Sequence, residues 1–265
     1  MKVSVIIPSL NPDEKLICVV DSLREAGFDD IILVNDGSDE NHMEPFEHVS
    51  AYPECTILTH EVNKGKGRGL KTAFEYCIKN RPDIDGVVTV DGDNQHKAAD
   101  IMKCCEKMAE CKDKVVLGVR NFSGKDVPFK SRFGNNMTSF VFKFACGLNI
   151  SDTQTGLRAI PRQYLELFDN VKGERFEYET NMLLEFKQSH IDFVEVPIET
   201  VYIEENASTH FNPIKDSLKI YGVIFKFLFS SIASSVIDLA MFAIISALLF
   251  GKLDGSMRIF TATLG

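Results

Sequence analysis

Val87-Val88-Thr89-Val90-Asp91-Gly92-Asp93-Asn94-Gln95-His96 is the stretch from which the rest of the chain can be read. An apolar, β-branched run leads into two carboxylates at i and i+2, followed by an amide and an imidazole. A strand buried on both faces reads as such a run, and open α/β sheets bind ligands beyond the carboxyl ends of their strands. Gly92 lets the chain bend, so both carboxylates can converge on a hard cation such as Mg²⁺ or Mn²⁺, which takes one or two carboxylates plus substrate phosphates. Asp and Gly also populate solvated turns, so the pair alone leaves both readings open.

Working outward toward the N-terminus, residues 3–8 are predicted as a strand, and Asn11, Pro12, Asp13 and Glu14 as the capped start of a helix ending near Gly27. A second strand over 31–34 runs into Asn35-Asp36-Gly37-Ser38, another carboxylate just past an apolar strand. A third strand over 56–59 precedes Asn63-Lys64-Gly65-Lys66-Gly67-Arg68-Gly69 and a helical pattern through Lys79. Glycines and cations before a helix suit an anion held by backbone N–H groups and the helix dipole; they equally suit a basic turn, and the spacing is not that of a P-loop.

Beyond the opening stretch, a helix is predicted over 98–111 and a strand over 115–119, giving the β-α-β-α-β order of an α/β fold. Arg120, Lys125, Lys130 and Arg132 form a local cationic run in an otherwise acidic chain, suited to phosphate contact or to a solvated loop. A Phe/Met/Val pattern over 129–146 predicts a helix whose Phe129, Phe133, Phe140 and Phe144 enter the core or line an apolar groove. Ser151-Asp152-Thr153-Gln154-Thr155-Gly156 is a polar turn before a short strand; a helix over 177–189 and a last strand over 191–197 follow.

The chain has 265 residues, is 45% hydrophobic and carries a net charge of -9, which argues against nucleic acid as a partner and requires any anionic substrate to be held locally. Seven cysteines without paired metal-ligand spacing predict reduced thiols. Residues 227–250 are apolar or small except for Asp238, long enough to cross a hydrocarbon core of about 30 Å. Lys215, Lys219 and Lys226 precede that run, which predicts a cytoplasmic domain over 1–215, an amphipathic segment over 216–226 and a membrane segment over 227–265.

In order along the chain, Val34-Asn35-Asp36-Gly37-Ser38, Asn63-Lys64-Gly65-Lys66-Gly67, Asp91-Gly92-Asp93-Asn94-Gln95-His96 and Asp152-Thr153-Gln154-Thr155-Gly156 resemble the inverting family 2 glycosyltransferases of the polyprenyl-phosphate sugar synthase type. The resemblance covers about residues 1–220. It implies a GT-A fold, an α/β architecture with a mainly parallel sheet. It also implies transfer from a nucleotide sugar, uridine-based in preference to guanosine-based, to a polyprenyl phosphate at the membrane.

By resemblance, Pro8, Leu10, Val34, Asp36, Lys66, Asp91, Gly92 and Arg120 hold the nucleotide sugar. Asp93, Gln95 and Asp91 hold Mg²⁺ or Mn²⁺, and Asp91, Asp93 and Arg132 carry catalysis. Arg120, Ser131, Arg132, Gln154 and His210 meet the acceptor phosphate. Where the family often has Pro-x-Tyr-Asn-Glu, this chain has Pro8-Ser9-Leu10-Asn11-Pro12. The C-terminal run resembles the first helix of the GtrA-like membrane family. Homo-oligomers are compatible with its amphipathic and membrane segments.

The chemistry implied is a single displacement. A phosphate monoester, with a second pKa of about 6, attacks as a dianion without a general base, and the work of the protein is alignment and stabilisation of the leaving diphosphate. The alternatives are a membrane adaptor or lipid-linked sugar translocation component without catalysis, and a polysaccharide synthase with a hydroxyl acceptor. The latter's Gln-x-x-Arg-Trp motif has no counterpart in a chain without tryptophan.

Overall fold

The computed structural model describes residues 1–121, 135–140, 142, 143, 147–199 and 215–250. The chain divides into two compact units, Met1–Ile220 and Tyr221–Gly265.

The first unit alternates strands and helices: β1 Val3–Ser9, α1 Lys15–Glu25, β2 Ile31–Asn35, α2 Glu44–Ser50, β3 Cys55–Thr59, α3 Lys66–Asn80, β4 Gly86–Thr89, α4 Ala98–Cys111 and β5 Val115–Arg120. Strand β6 Arg158–Pro161, short and longer helices at Leu165–Asp169 and Glu177–Gln188, and β7 Phe193–Ile198 complete it. The sheet order is β3-β2-β1-β4-β6-β5-β7. Every neighbouring pair is parallel except the two made by β6, which runs against β4 and β5.

Residues Val5, Ile6 and Ile7 of β1 are all fully buried, as both faces of a central strand require. On α1, Leu16, Val19, Val20 and Leu23 follow the i, i+3, i+4, i+7 spacing and are buried. They join Val5, Ile7, Leu33 and Val88 in one core cluster, to which Ile101, Cys104, Cys105 and Met108 of α4 also belong. Burial pushes the thiols of Cys104 and Cys105 up to about 12, so they are inert core groups. Among the described residues six cysteines are free.

Helix α4 has its expected bounds, whereas β5 extends to Arg120 and β7 starts at Phe193. The helices Glu44–Ser50 and Leu165–Asp169 were not legible, being too short to show a helical period. Of the four phenylalanines assigned to core or groove, only Phe140 is described, and it is 66% exposed, so it is not a core residue.

The C-terminal helix runs Lys215–Phe250. Among the described residues, however, no helix is long and apolar enough to cross a membrane. The segment expected to span over 227–250 is thus found as helix, and its membrane crossing is not supported by the described residues. Exposed on it are Phe225, Phe229, Ile232, Val236, Ile237 and Leu239.

Candidate active site

After β1, the chain passes to β2 and β3 on one side of β1 and then to β4 on its other side. Beyond the carboxyl ends of β1 and β4 lies the crevice that such a reversal creates. A cavity opens there, lined by the β1 end from Pro8 to Asp13, by Asp36, Asn63, Gly65 and Lys66, by Asp91, Gly92 and Asp93, and by Arg175 and Phe176.

Asp36 is almost wholly buried. Its Oδ1 accepts from His60 Nδ1 at 2.7 Å and from the Lys64 backbone N–H at 2.9 Å, and its Oδ2 accepts from the Gly65 N–H at 2.7 Å. His60 Nε2 in turn meets Thr72 Oγ1 at 2.9 Å. The anion predicted for the glycine-rich loop is thus supplied by the chain itself. Asp36 lines the cavity, yet both of its oxygens organise the loop that leads into α3. Gly65 is required there twice over: its φ is +106°, and a Cβ would lie 2.4 Å from the Glu174 carbonyl oxygen.

The opening stretch delivers its carboxylates as expected, but they differ. Lys66 Nζ lies 2.8 Å from Asp91 Oδ1 and 3.0 Å from Glu179 Oε2. Burial works to raise the Asp91 carboxyl, but Lys66 and His96 outweigh it and hold it well below the usual carboxylate range. Asp91 is therefore an obligate anion and a poor proton acceptor. In contrast, burial and the adjacent Asp91 charge raise Asp93. The hydrogen bond recorded to its carboxylate is the one from the Gln95 backbone N–H, at 3.1 Å, and it forms no ion pair among the described residues.

A half-buried carboxylate beside a second anion, with no ion-pair partner among the described residues, is where a divalent ion relieves the repulsion. Among the described residues no three His, Cys, Asp or Glu side chains converge as a ready-made metal cage. The donor set available is the Asp91–Asp93 pair, which suits an ion that completes its shell with substrate phosphates and water.

Behind Asp91 runs the polar turn of residues 151–156. Because β6 pairs antiparallel to β4, with Thr89 opposite Arg158, the residues just before β6 lie beside those just after β4. Thr89 Oγ1 donates to the Gly156 carbonyl at 2.7 Å. A Cβ on Gly156 would stand 2.3 Å from Asp91 Oδ2, so only glycine lets this turn back the carboxylate. Fully buried Asp152 accepts from Arg120 Nε at 2.8 Å and Nη2 at 3.1 Å. Arg158 is buried beneath the turn, its Nε donating to the Thr155 carbonyl at 3.2 Å and its Nη1 to the Glu179 carbonyl at 3.0 Å. Burial lowers its pKa.

Of the sequence-predicted site residues, Pro8, Leu10, Asp36, Lys66, Asp91, Gly92 and Asp93 meet at the cavity. Val34 does not line it: fully buried, it pairs with Pro8 within the sheet. Gln95, Arg120 and Gln154 also lie outside the lining, and Arg120 is gripped by Asp152. Ser131, Arg132 and His210 fall outside the described residues. Not assigned to the site from sequence were Ser9, Asn11, Pro12, Asp13, Asn63, Gly65, Arg175 and Phe176. The last two sit more than 80 positions beyond the carboxylates and carried no local signal.

Residues 4–168 match the family described as glycosyl transferase family 2. A Methanococcus voltae UDP-N-acetylglucosamine–dolichyl-phosphate N-acetylglucosaminyltransferase is 30% identical over 220 residues, spanning 75% of this chain and 85% of its own. The glycosyltransferase AglJ of Haloferax volcanii is 26% identical, over 84% of this chain and 69% of its own. Glucosyl-3-phosphoglycerate synthase from Mycobacterium tuberculosis, solved with Mn²⁺, uridine diphosphate and phosphoglyceric acid, superposes with a TM-score of 0.64 at 14% identity, covering 86% of this chain and 78% of that one. That likeness establishes the fold: GT-A-like, α/β, with a mostly parallel sheet. The family match ends before the C-terminal helix.

Proposed function

The chain belongs to glycosyl transferase family 2, and we propose that it moves a sugar from a nucleotide diphosphate sugar, uridine-based by preference, onto a polyprenyl phosphate at the cytoplasmic face of a membrane. The observation that carries this reading is the unequal carboxylate pair at the β1–β4 crevice. Asp91 is neutralised by Lys66, while Asp93 faces the cavity without an ion-pair partner among the described residues. That is the donor set for a divalent ion shared with a diphosphate. Supporting the substrate classes is the Methanococcus voltae relative, named for a UDP-sugar donor and a dolichyl phosphate acceptor.

When bound, Mg²⁺ or Mn²⁺ would be held by Asp93 and Asp91 and would stabilise the charge on the departing diphosphate. The protein's own work is positioning. Lys66 keeps Asp91 ionised and in place, and the 151–156 turn fixes it from behind. No base is needed, since a phosphomonoester acceptor is already dianionic at neutral pH; Asp91, held below the usual carboxylate range, is unsuited to that task anyway. A single displacement inverts the anomeric centre.

Membrane association is supported by the exposed Phe225, Phe229, Ile232, Val236, Ile237 and Leu239 on the C-terminal helix. In this reading the helix begins a GtrA-like membrane portion and holds the catalytic domain near its lipid acceptor, which raises the effective acceptor concentration. The test is transfer of radiolabelled sugar from a panel of nucleotide sugars to undecaprenyl phosphate, scored as lipid-extractable product. Asp93→Ala is expected to lower turnover by ~10²- to 10³-fold, the scale of losing a key electrostatic stabiliser. Wild-type turnover in that variant would sink the assignment.

A further inference from the structure

A nucleoside diphosphate brings more negative charge than one divalent ion neutralises, so the cleft needs a second cation. Most cations that the sequence places near it are already committed. Lys66 is held between Asp91 and Glu179, Arg68 by Glu174 and Glu75, Lys71 by Glu174, and Arg120 by Asp152. Among the described residues, the cations lining the cavity are Lys66 and Arg175. The guanidinium of Arg175 is exposed and has no hydrogen bond or ion pair among the described residues.

The backbone that presents Arg175 is fixed. Glu174 accepts from Arg68 Nη2 at 2.7 Å and from Lys71 Nζ at 3.2 Å, and its carbonyl accepts from the Arg68 N–H at 2.9 Å. The N–H groups of Glu174 and Arg175 both donate to Glu177 Oε1. This loop crosses directly over Gly65, where a Cβ would stand 2.5 Å from Arg175 Cγ. The residue is thus pinned at its backbone, to the same loop that Asp36 organises, and left open at its tip. A planar guanidinium forks onto phosphate oxygens through two donors, which an ammonium cannot do.

We propose that Arg175 binds the diphosphate of the nucleotide sugar, holding it in the ground state and as it departs. The proposal deepens the transferase reading and rests on it. The test is calorimetric binding of uridine diphosphate and uridine monophosphate to the full chain with Mn²⁺, in the wild type, Arg175→Met and Arg175→Lys. Loss of a charge-assisted contact predicts a ~10- to 100-fold weaker affinity of Arg175→Met for the diphosphate, with the monophosphate changed by less than ~3-fold and Arg175→Lys intermediate. Unchanged diphosphate affinity, or equal weakening of both nucleotides, overturns the role of Arg175 and leaves the transferase reading intact. A wild type that binds neither nucleotide overturns the transferase reading itself.

Discussion

Asp36 follows β2 and the Asp91–Asp93 pair follows β4; all are acids just past apolar parallel strands, and their fates are opposite. Both oxygens of Asp36 are taken up by His60 and by the N–H groups of Lys64 and Gly65. After β4, Asp91 is paired with Lys66, while Asp93 keeps a carboxylate without an ion-pair partner among the described residues. The difference comes from what surrounds each strand end. The loop between β3 and α3 folds back onto Asp36 with its backbone N–H groups, whereas the segment after β4 leaves its second acid facing the crevice. The same local signature therefore builds a scaffold in one place and a ligand site in the other.

That contrast can be broken by experiment. The largest expected effect on folding is from Asp36→Ala, which strips three donors of their buried acceptor. At 1–3 kcal/mol for each such group and with partial rehydration, a loss of about 3 kcal/mol and a fall in Tm of about 9 °C are predicted by thermal unfolding. Asp93→Ala should leave Tm unchanged or raised, because it removes an anion from beside another; a comparable loss of stability in both variants would erase the distinction.

Gly156→Ala is next. Its methyl carbon would collide with Asp91 Oδ2, so the carboxylate must leave Lys66 or the turn must move. Transfer is expected to fall by ~10- to 100-fold, the scale of an ångström-sized misplacement in a catalytic site. Steady-state kinetics matching the wild type would show that Asp91 is not held from behind. Smallest is His60→Gln, which removes one of three donors to Asp36; about 1 kcal/mol of stability should be lost with nucleotide affinity changed by less than ~3-fold. A larger change in affinity would move Asp36 from scaffold to ligand.

Much of this site was readable before the fold. Periodicity placed the strands leading to Pro8, Asp36 and Asp91, and seven of the residues assigned to the site do line one cavity. Sequence shows charge without showing partners: Arg120 lies 32 positions from Asp152, and Arg68 lies 106 from Glu174. Arg175 and Phe176 were invisible for the same reason. The C-terminal helix was expected from its apolar run and found as helix over Lys215–Phe250.

Local pattern alone determined the α/β class and the strand-end position of the carboxylates, because these depend on hydrophobic period within a few residues; the left-handed turn expected of Gly92 falls instead on Asn94, at φ +61°. Which acid is structural and which is open was decided only by tertiary structure. The antiparallel insertion of β6 between β4 and β5 brings Gly156 against Asp91, and the loop that carries Glu174 and Arg175 lies over Gly65. A carboxylate's role depends on which donors reach it, and those donors come from segments far away in the chain.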